Sequence, residues 1–471
     1  MAFIHDDFLL STATSRRLYH DFAASQPIYD YHGHLPPQDL ASDRRFADLA
    51  EAWLEGDHYK WRAMRAAGVD ERFCTGDAEP WEKFLAFARV VPQTLRNPLY
   101  HWCHLELKRY FDIDTTLNAD TARDVWDEAN RQLADMPVSV ILRRFGVKLI
   151  GTTDAPEDGL EHHAQLAASD TLGGTAVYPA FRPDRTHQLG DPETWNGVID
   201  AVGRAAGVSI DRLDDLFDAL AKRHRFFHDH GARLSDHGLT HLPDVEPSQA
   251  AAEAVFDRAR AGGPVDAAGQ DVFTASMMNF FGRLDHAAGW THQLHLGALR
   301  NNNAWALERL GPDTGFDSIG DERQAPGLRR HLGTLAGQEA LPKTILYNLN
   351  PDNNELFATM AGNFQSAPTP GRVQFGSGWW FLDQKDGMTK QLNALSNCGL
   401  LAHFVGMTTD SRSFLSFPRH EYFRRVLCDL LGREKEAGEL PDDLALVGGL
   451  VKDLCFDNAR RYFGMALCDR D

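Results

Sequence analysis

Cysteine is scarce in this sequence, and none of it is paired. The 471 residues hold six, Cys74, Cys103, Cys398, Cys428, Cys455 and Cys468, with no CxxC among them. Scattered single cysteines exclude a disulfide scaffold and a zinc–thiolate cluster, and they point to buried free thiols in a reducing compartment. Positive charge is in deficit too. The formal net charge is −19 and no clustered Lys/Arg surface stands out, which excludes nucleic acid as a partner. An anionic small molecule stays open, provided a few arginines converge locally. No apolar stretch approaches the roughly 18 residues of a bilayer span, so no membrane partner is expected. The opening MAFIHDDFLLSTATSRRLYHDF lacks the basic start and apolar core of a secretory signal, so the expected location is cytoplasmic. No GxGxxG follows the first apolar run, which argues against a doubly wound dinucleotide fold.

What the chain does have is eight short apolar runs, rich in β-branched and aromatic residues and each ending in polar or glycine-containing sequence. They are residues 28–35 (IYDYHGHL), 147–153 (VKLIGTT), 175–180 (TAVYPA), 231–238 (GARLSDHG), 290–296 (WTHQLHL), 343–349 (KTILYNL), 372–376 (RVQFG) and 401–407 (LAHFVGM). Helical patterns such as residues 198–228 and 249–261 lie between most of them. Strands alternating with helices predict an α/β fold, a (β/α)8 TIM barrel. One spacing is anomalous: about 110 residues separate the first run from the second, far beyond an ordinary crossover. The segment is helical in pattern. The expected division is therefore 1–35, an N-terminal segment with barrel strand 1; 36–145, a helical insertion subdomain; and 146–471, the remaining barrel and C-terminal helices.

In YDYHGHLPP, His32 and His34 stand two apart on a strand, so both side chains leave one face at its C-terminal end, where both can reach one divalent ion. Barrel enzymes place their active groups at that end. Asp30, earlier on the strand, is expected to be structural. Asp410 and Arg412 follow the eighth run, where the carboxylate can complete a metal shell and the guanidinium can grip a substrate carboxylate. Other strand ends supply Arg182, His237, His295, Asn348, Asn350, Trp379 and Trp380. Together these cationic, amide and aromatic groups suit a polyhydroxylated anion, with the tryptophans either stacking on a sugar or walling the barrel mouth. In DHYKWRAMRAAGV, Asp57 is a candidate N-cap, with His58, Tyr59 and Arg62 on the first turns and Arg62 close enough to bias its neighbours. His101, Cys103 and His104 imitate a metal motif but sit in an aromatic-rich helix, and are read as packing.

At these residues the chain resembles a known family. HGHLPP, DHYKWRAMRAAGV, HWCHLELKRYF, GTTDAP, PAFRPD, RLSDHG, QLHLGALRNNN, SGWWFLDQKDGM and GMTTDSRSFLSFPRHEYFRR are similar to segments of the uronate isomerases, divergent members of the amidohydrolase superfamily. Of that superfamily's metal pattern, His32, His34 and Asp410 match, and His295 fits the strand-five place. The strand-six place reads Asn348 or Asn350, and no strand-four lysine is evident. The resemblance therefore implies one divalent metal ion, zinc foremost, with manganese, cobalt or iron as alternatives. It also implies conversion of D-glucuronate to D-fructuronate and of D-galacturonate to D-tagaturonate, with Arg182 and Arg412 near the substrate and His58 and Tyr59 reaching in from the insertion.

Such a shift needs a base near C2 and an acid near O1, which leads to a cis-enediol intermediate. The expected roles are Arg412 on the substrate carboxylate, the His58/Tyr59 pair on the carbon-bound proton, and Asp410 on the hydroxyl proton. A tyrosine base requires a neighbouring cation, Arg62, Arg182 or the metal. Three rivals stand beside this reading: a metal-assisted hydride shift, a metal-dependent hydrolase of a lactone, ester or amide, and a non-catalytic uronate-binding barrel. A homo-oligomer is expected on general grounds.

Overall fold

Seven of the eight apolar runs contain strands. The structure is a computed structural model describing residues 2–468. In chain order the strands are β1 (Ile28–Asp30), β2 (Val147–Gly151), β3 (Ala176–Tyr178), β4 (Leu234–Leu239), β5 (Thr291–Leu296), β6 (Ala298–Leu299), β7 (Ser318–Ile319), β8 (Lys343–Asn348) and β9 (Val373–Phe375). β1, β2 and β3 pair in parallel in that order, as do β4, β5, β8 and β9. Parallel bridges from Asp154 to Phe181 and from Phe181 to Ser235 carry the first sheet toward the second. β6 and β7 form a small antiparallel pair. Every residue of β5 is buried, as expected of a parallel strand covered on both sides.

The eighth run departs from expectation. Leu401–His403 is one turn of 3-10 helix, and residues 404–410 belong to no strand. Two features stop a ladder from forming. Gly406 has φ +78, and a Cβ there would collide with the Leu454 carbonyl, so the chain turns where a strand would stay extended. Side chains also take the place of a backbone partner: Val405 N–H donates to Gln374 Oε1 (3.2 Å) and Thr409 N–H to Asp30 Oδ1 (2.7 Å). The run is therefore tied to β9 on one side and β1 on the other by side-chain hydrogen bonds.

Residues 37–144 are helical, in segments Pro37–Ala41, Leu49–Leu54, His58–Ala66, Pro80–Val90, Pro98–Phe111, Ala122–Leu133 and Val138–Arg144. Proline at the first helical position starts three of them, since its missing N–H is one a helix start leaves unused. Their apolar faces share a buried cluster that includes Trp53, Phe84, Phe87, Cys103 and Leu107. Cys103 packs there, His104 Nδ1–H faces the Tyr100 carbonyl (2.6 Å), and His101 meets the Tyr422 hydroxyl (3.2 Å). All three are packing residues, as expected. Farther along, the pattern at 198–228 resolves into two helices, Pro192–Ala206 and Leu213–Asp229, because Gly207 takes a left-handed C-cap between them. The helix Gln249–Arg260 matches the pattern at 249–261. Among the described residues, no helix is long and apolar enough to cross a membrane.

Candidate active site

The site is assembled around Asp30. Its buried carboxylate accepts from Thr408 Oγ1 (2.9 Å), Thr409 N–H (2.7 Å) and Thr409 Oγ1 (2.6 Å), clamping the far end of the chain beside β1. Backbone bonds repeat the clamp, from Asp410 N–H to His32 O (3.3 Å) and from His34 N–H to Ser411 O (2.9 Å). Asp30 is thus structural, as its place on the strand suggested. The clamp brings His32 Nε2 to 3.2 Å and His34 Nε2 to 3.0 Å from one oxygen, Asp410 Oδ1. Asp410 itself has φ +45, a conformation costly for a non-glycine residue and held by its surroundings. Burial opposes its charge, but the hydrogen bonds from His32 and His34 win and hold the carboxyl well below its usual range.

Beside this cluster lies a second. His295 on β5 donates Nδ1–H to Asp236 Oδ1 of β4 (2.7 Å), and Asp236 Oδ2 sits 3.2 Å from Arg182 Nη1. Arg182 Nε also donates to Asp184 Oδ2 (3.2 Å), which accepts from Gly238 N–H as well (2.9 Å). A side chain at Gly238 would press on the Arg182 guanidinium, so glycine is needed there for close approach. Burial works against an ionised Asp236, yet Arg182, His32 and His295 hold it well below the usual carboxylate range. The His295 ring stacks on Tyr347 (4.2 Å) and lies edge-on to Trp379 (4.8 Å).

From the helical segment, Asp57 caps the helix His58–Ala66 by accepting the N–H groups of Tyr59 and Lys60, and this points His58 and Tyr59 at the cleft. Their rings stack at 4.4 Å, and His58 meets Trp380 at 5.9 Å. Burial lowers the pKa of His58. Burial also raises Tyr59 well above its ordinary value, and the charge of Arg419 only partly offsets this. Arg62 is not the cation beside Tyr59. Its guanidinium donates to the Asp317 carbonyl (2.8 Å) and covers Phe381, whereas Arg419 stands 5.8 Å from the Tyr59 ring and 4.4 Å from Trp102.

At the rim, Arg412 donates to Asp313 (3.1 Å), which Arg300 approaches at 3.5 Å while lying over the Trp380 ring. Arg182, Arg412, His58, Tyr59, Trp379 and Trp380 all line one cleft of about 360 Å³ that also exposes His32, His34, His295 and Asp410. Among them, His32, His34 and Asp410 place three ligand atoms within 4.8 Å of one another. The 3.0 and 3.2 Å separations are close to the roughly 3.0–3.4 Å that metal bonds of about 2.1 Å impose. Two imidazoles and a carboxylate therefore fit a divalent transition ion.

The model of the glucuronate isomerase family matches residues 1–463. The chain belongs to the uronate isomerase family. It is similar to the uronate isomerase of Solibacter usitatus, 56% identical over 99% of this chain and 100% of that one, and to that of Opitutus terrae, 56% identical over 99% and 98%. Among solved structures, the uronate isomerase from Thermotoga maritima superimposes with a TM-score of 0.93 at 34% identity, covering 98% of this chain and 100% of that one. The glucuronate isomerase from Caulobacter crescentus gives 0.90 at 26%, covering 99% and 98%.

Within the isomerase's cleft, three sequence expectations need correction. His237 points away from it: Nε2 bonds Ser235 Oγ (3.0 Å), and the ring packs against Phe281 and His292. The inward places on β4 go to its neighbours Asp236 and Gly238, because strand side chains alternate. Asn348 donates to the Asn350 carbonyl and to Asn354 Oδ1, and Asn350 caps the turn that follows. Both asparagines shape a loop and neither lines the cleft. The residues that sequence reasoning missed are Asp236, Asp184, Arg300, Arg419 and Asp383. Burial pushes the Asp383 carboxyl up to about 7 despite the nearby Arg419. RLSDHG and PAFRPD carry the first two, close to His237 and Arg182. Nothing in PRHEYF marks Arg419 as a neighbour of Tyr59.

Proposed function

We propose that the enzyme interconverts aldose and ketose hexuronates, D-glucuronate with D-fructuronate and D-galacturonate with D-tagaturonate, through a cis-enediol. The observation that carries this reading is the convergence in one cleft of two arginines, a His–His–Asp donor set and the His58/Tyr59 pair. Each answers one need of the reaction: a grip on the carboxylate, charge stabilisation at the oxygens, and proton transfer at carbon. The two parallel sheets, with residues 404–410 bridging β9 and β1, are read as the eight staves of a (β/α)8 barrel. Residues 36–145 are read as a helical insertion subdomain over its mouth, with 1–35 and 146–471 supplying the barrel.

A single divalent ion held by His32, His34 and Asp410, zinc foremost with manganese, cobalt or iron as alternatives, would polarise the substrate oxygens and stabilise negative charge on them. Arg412 and Arg182 bind the substrate carboxylate. Asp184 and Asp236 hold Arg182 from two sides, so its guanidinium meets the ligand already oriented. His295, whose Nδ1–H is spent on Asp236, presents Nε2 as an acceptor for a substrate hydroxyl. Trp379 and Trp380 wall the sugar. Within the His58/Tyr59 pair, burial keeps the imidazole neutral and able to take the C2 proton, while the same burial keeps the phenol protonated and able to donate to the developing oxyanion. Asp410 moves the hydroxyl proton. The reading includes a cytoplasmic homo-oligomer, checked by light scattering.

Purified protein incubated with D-glucuronate in deuterated water tests the proposal. Ketose carrying solvent deuterium at C1 is the expected product. Complete absence of solvent label would favour a hydride shift, and failure to convert either hexuronate in the presence of added zinc or manganese would overturn the assignment.

A further inference from the structure

Behind the cleft, three buried ligand atoms converge and none has a hydrogen-bond partner: Asp184 Oδ1, His187 Nε2 and His237 Nδ1. Asp184 Oδ1 lies 3.8 Å from His187 Nε2 and 3.9 Å from His237 Nδ1, and the side chains are 10%, 2% and 0% exposed. These gaps are too long for hydrogen bonds. The other oxygen of Asp184 is already used, accepting from Gly238 N–H and Arg182 Nε.

Asp285 accepts from Ser235 Oγ (2.6 Å), and the imidazoles of His292 (2.7 Å) and His224 (3.0 Å) also face it. The hydroxyl of Ser235 has one proton, and it goes to Asp285. His237 Nε2, 3.0 Å from Ser235 Oγ, must then be the N–H that donates to that oxygen. With the proton on Nε2, Nδ1 bears a bare lone pair. That lone pair faces a carboxylate oxygen 3.9 Å away. Leaving two such acceptors face to face is unfavourable, and a cation at their centre removes the conflict.

We propose that Asp184, His187 and His237 form a second metal site, buried behind the part of the cleft wall that Asp184 lines, for a divalent ion of the zinc class. Two imidazole nitrogens and one carboxylate oxygen suit such an ion. Tetrahedral bonds of about 2.1 Å set ligand atoms roughly 3.4 Å apart, so Asp184 Oδ1 needs to come only about half an ångström closer to each histidine nitrogen. His237 is oriented as metal-bound histidines commonly are, its outer N–H tied through Ser235 to a carboxylate. The ion's role is structural: it fixes Asp184, whose second oxygen holds Arg182. The site binds no substrate itself and acts on the cleft only by holding Asp184 against Arg182; it shares no ligand with the His32/His34 centre.

The test is anomalous diffraction, on both sides of the zinc edge, from crystals of the protein as purified and of His187→Gln, together with elemental analysis of both. The expected result is an anomalous peak within bonding distance of all three side chains in the wild type. In H187Q that peak disappears and the protein carries one metal equivalent fewer, whatever the occupancy at His32 and His34. Density without anomalous signal at that position, which identifies a water, overturns the proposal. So does a metal content in H187Q equal to that of the wild type. The wild-type map alone decides the matter if the variant does not fold.

Discussion

Replacing Asp30 with asparagine should loosen the active site without touching it. The carboxylate receives three short hydrogen bonds from Thr408 and Thr409, and the amide is nearly isosteric, so no cavity is made. What changes is the charge, and one acceptor oxygen becomes an NH2 that cannot accept from Thr409 Oγ1. Hydrogen bonds to a charged acceptor contribute about 1.5–3 kcal/mol each and neutral ones about 0.5–1.5, so the substitution forfeits roughly 1 kcal/mol per bond. About 3 kcal/mol of stability should be lost, read as a lower urea midpoint with an unchanged slope. Because the same bonds hold Asp410 beside His32 and His34, turnover and metal retention should fall with it. A displacement of about 1 Å at a reacting group costs on the order of 100-fold, so kcat is expected to drop at least tenfold in D30N. The reasoning fails if D30N unfolds within about 0.5 kcal/mol of the wild type, or if it is less stable but turns over at the wild-type rate. In the second case the clamp stabilises the fold without positioning Asp410.

Tyr59→Phe should lower kcat by two or more orders of magnitude with the fold intact by circular dichroism; a change of a few fold would remove Tyr59 from the chemistry. Asp236→Asn takes away one of the two carboxylates that hold Arg182 and should raise KM for the uronate more than it lowers kcat, which steady-state kinetics separates. Glu421 pairs with Arg109 through two 2.8 Å bonds and with Arg425 at 2.8 Å, joining helix Pro98–Phe111 to helix Pro418–Glu436. Burial opposes its charge, but the arginines prevail and its folded pKa lies below the ordinary 4.5. Its contribution is therefore complete above about pH 4.5 and lost as pH falls through the lower, folded pKa. The stability gap between the wild type and Glu421→Gln should be full at pH 7 and close under strongly acid conditions; a gap independent of pH would contradict the pairing. Gly406→Ala meets both a positive φ and the Leu454 carbonyl, and should cost more than 2 kcal/mol by thermal unfolding.

Much of this was legible in the sequence because it depends on local period. Seven apolar runs became strands where their composition placed them, and Asp57 capped its helix as read. The pattern places His32 and His34 on a strand, but β1 ends at Asp30, and what turns both toward Asp410 is the backbone clamp of the segment past the strand, from Asp410 N–H to His32 O and from His34 N–H to Ser411 O. In RLSDHG the strand alternation holds but its phase is hidden: His237 has the chemistry of a cleft residue, yet β4 turns Asp236 inward. Phase is set by which face meets the core, and β4 is buried on both faces over its first four residues, so composition gives no sign of it. The eighth run failed for another reason. LAHFVGM has the composition of a strand, but the backbone of Leu454 crowds Gly406, and an approach from 48 residues away is invisible to a local window.

The sequence by itself determined the elements, the family and the inventory of metal donors, since periodicity, turn residues and motif content are properties of the chain order. Only the tertiary structure decided which charges face one another. Arg419 beside Tyr59, Asp236 between Arg182 and His295, and Asp410 against both histidines are pairs from opposite ends or distant segments of the chain. Coulombic and hydrogen-bond energies depend on separations of a few ångströms, and those separations exist only once β1, residues 404–410 and the helices over the cleft have packed.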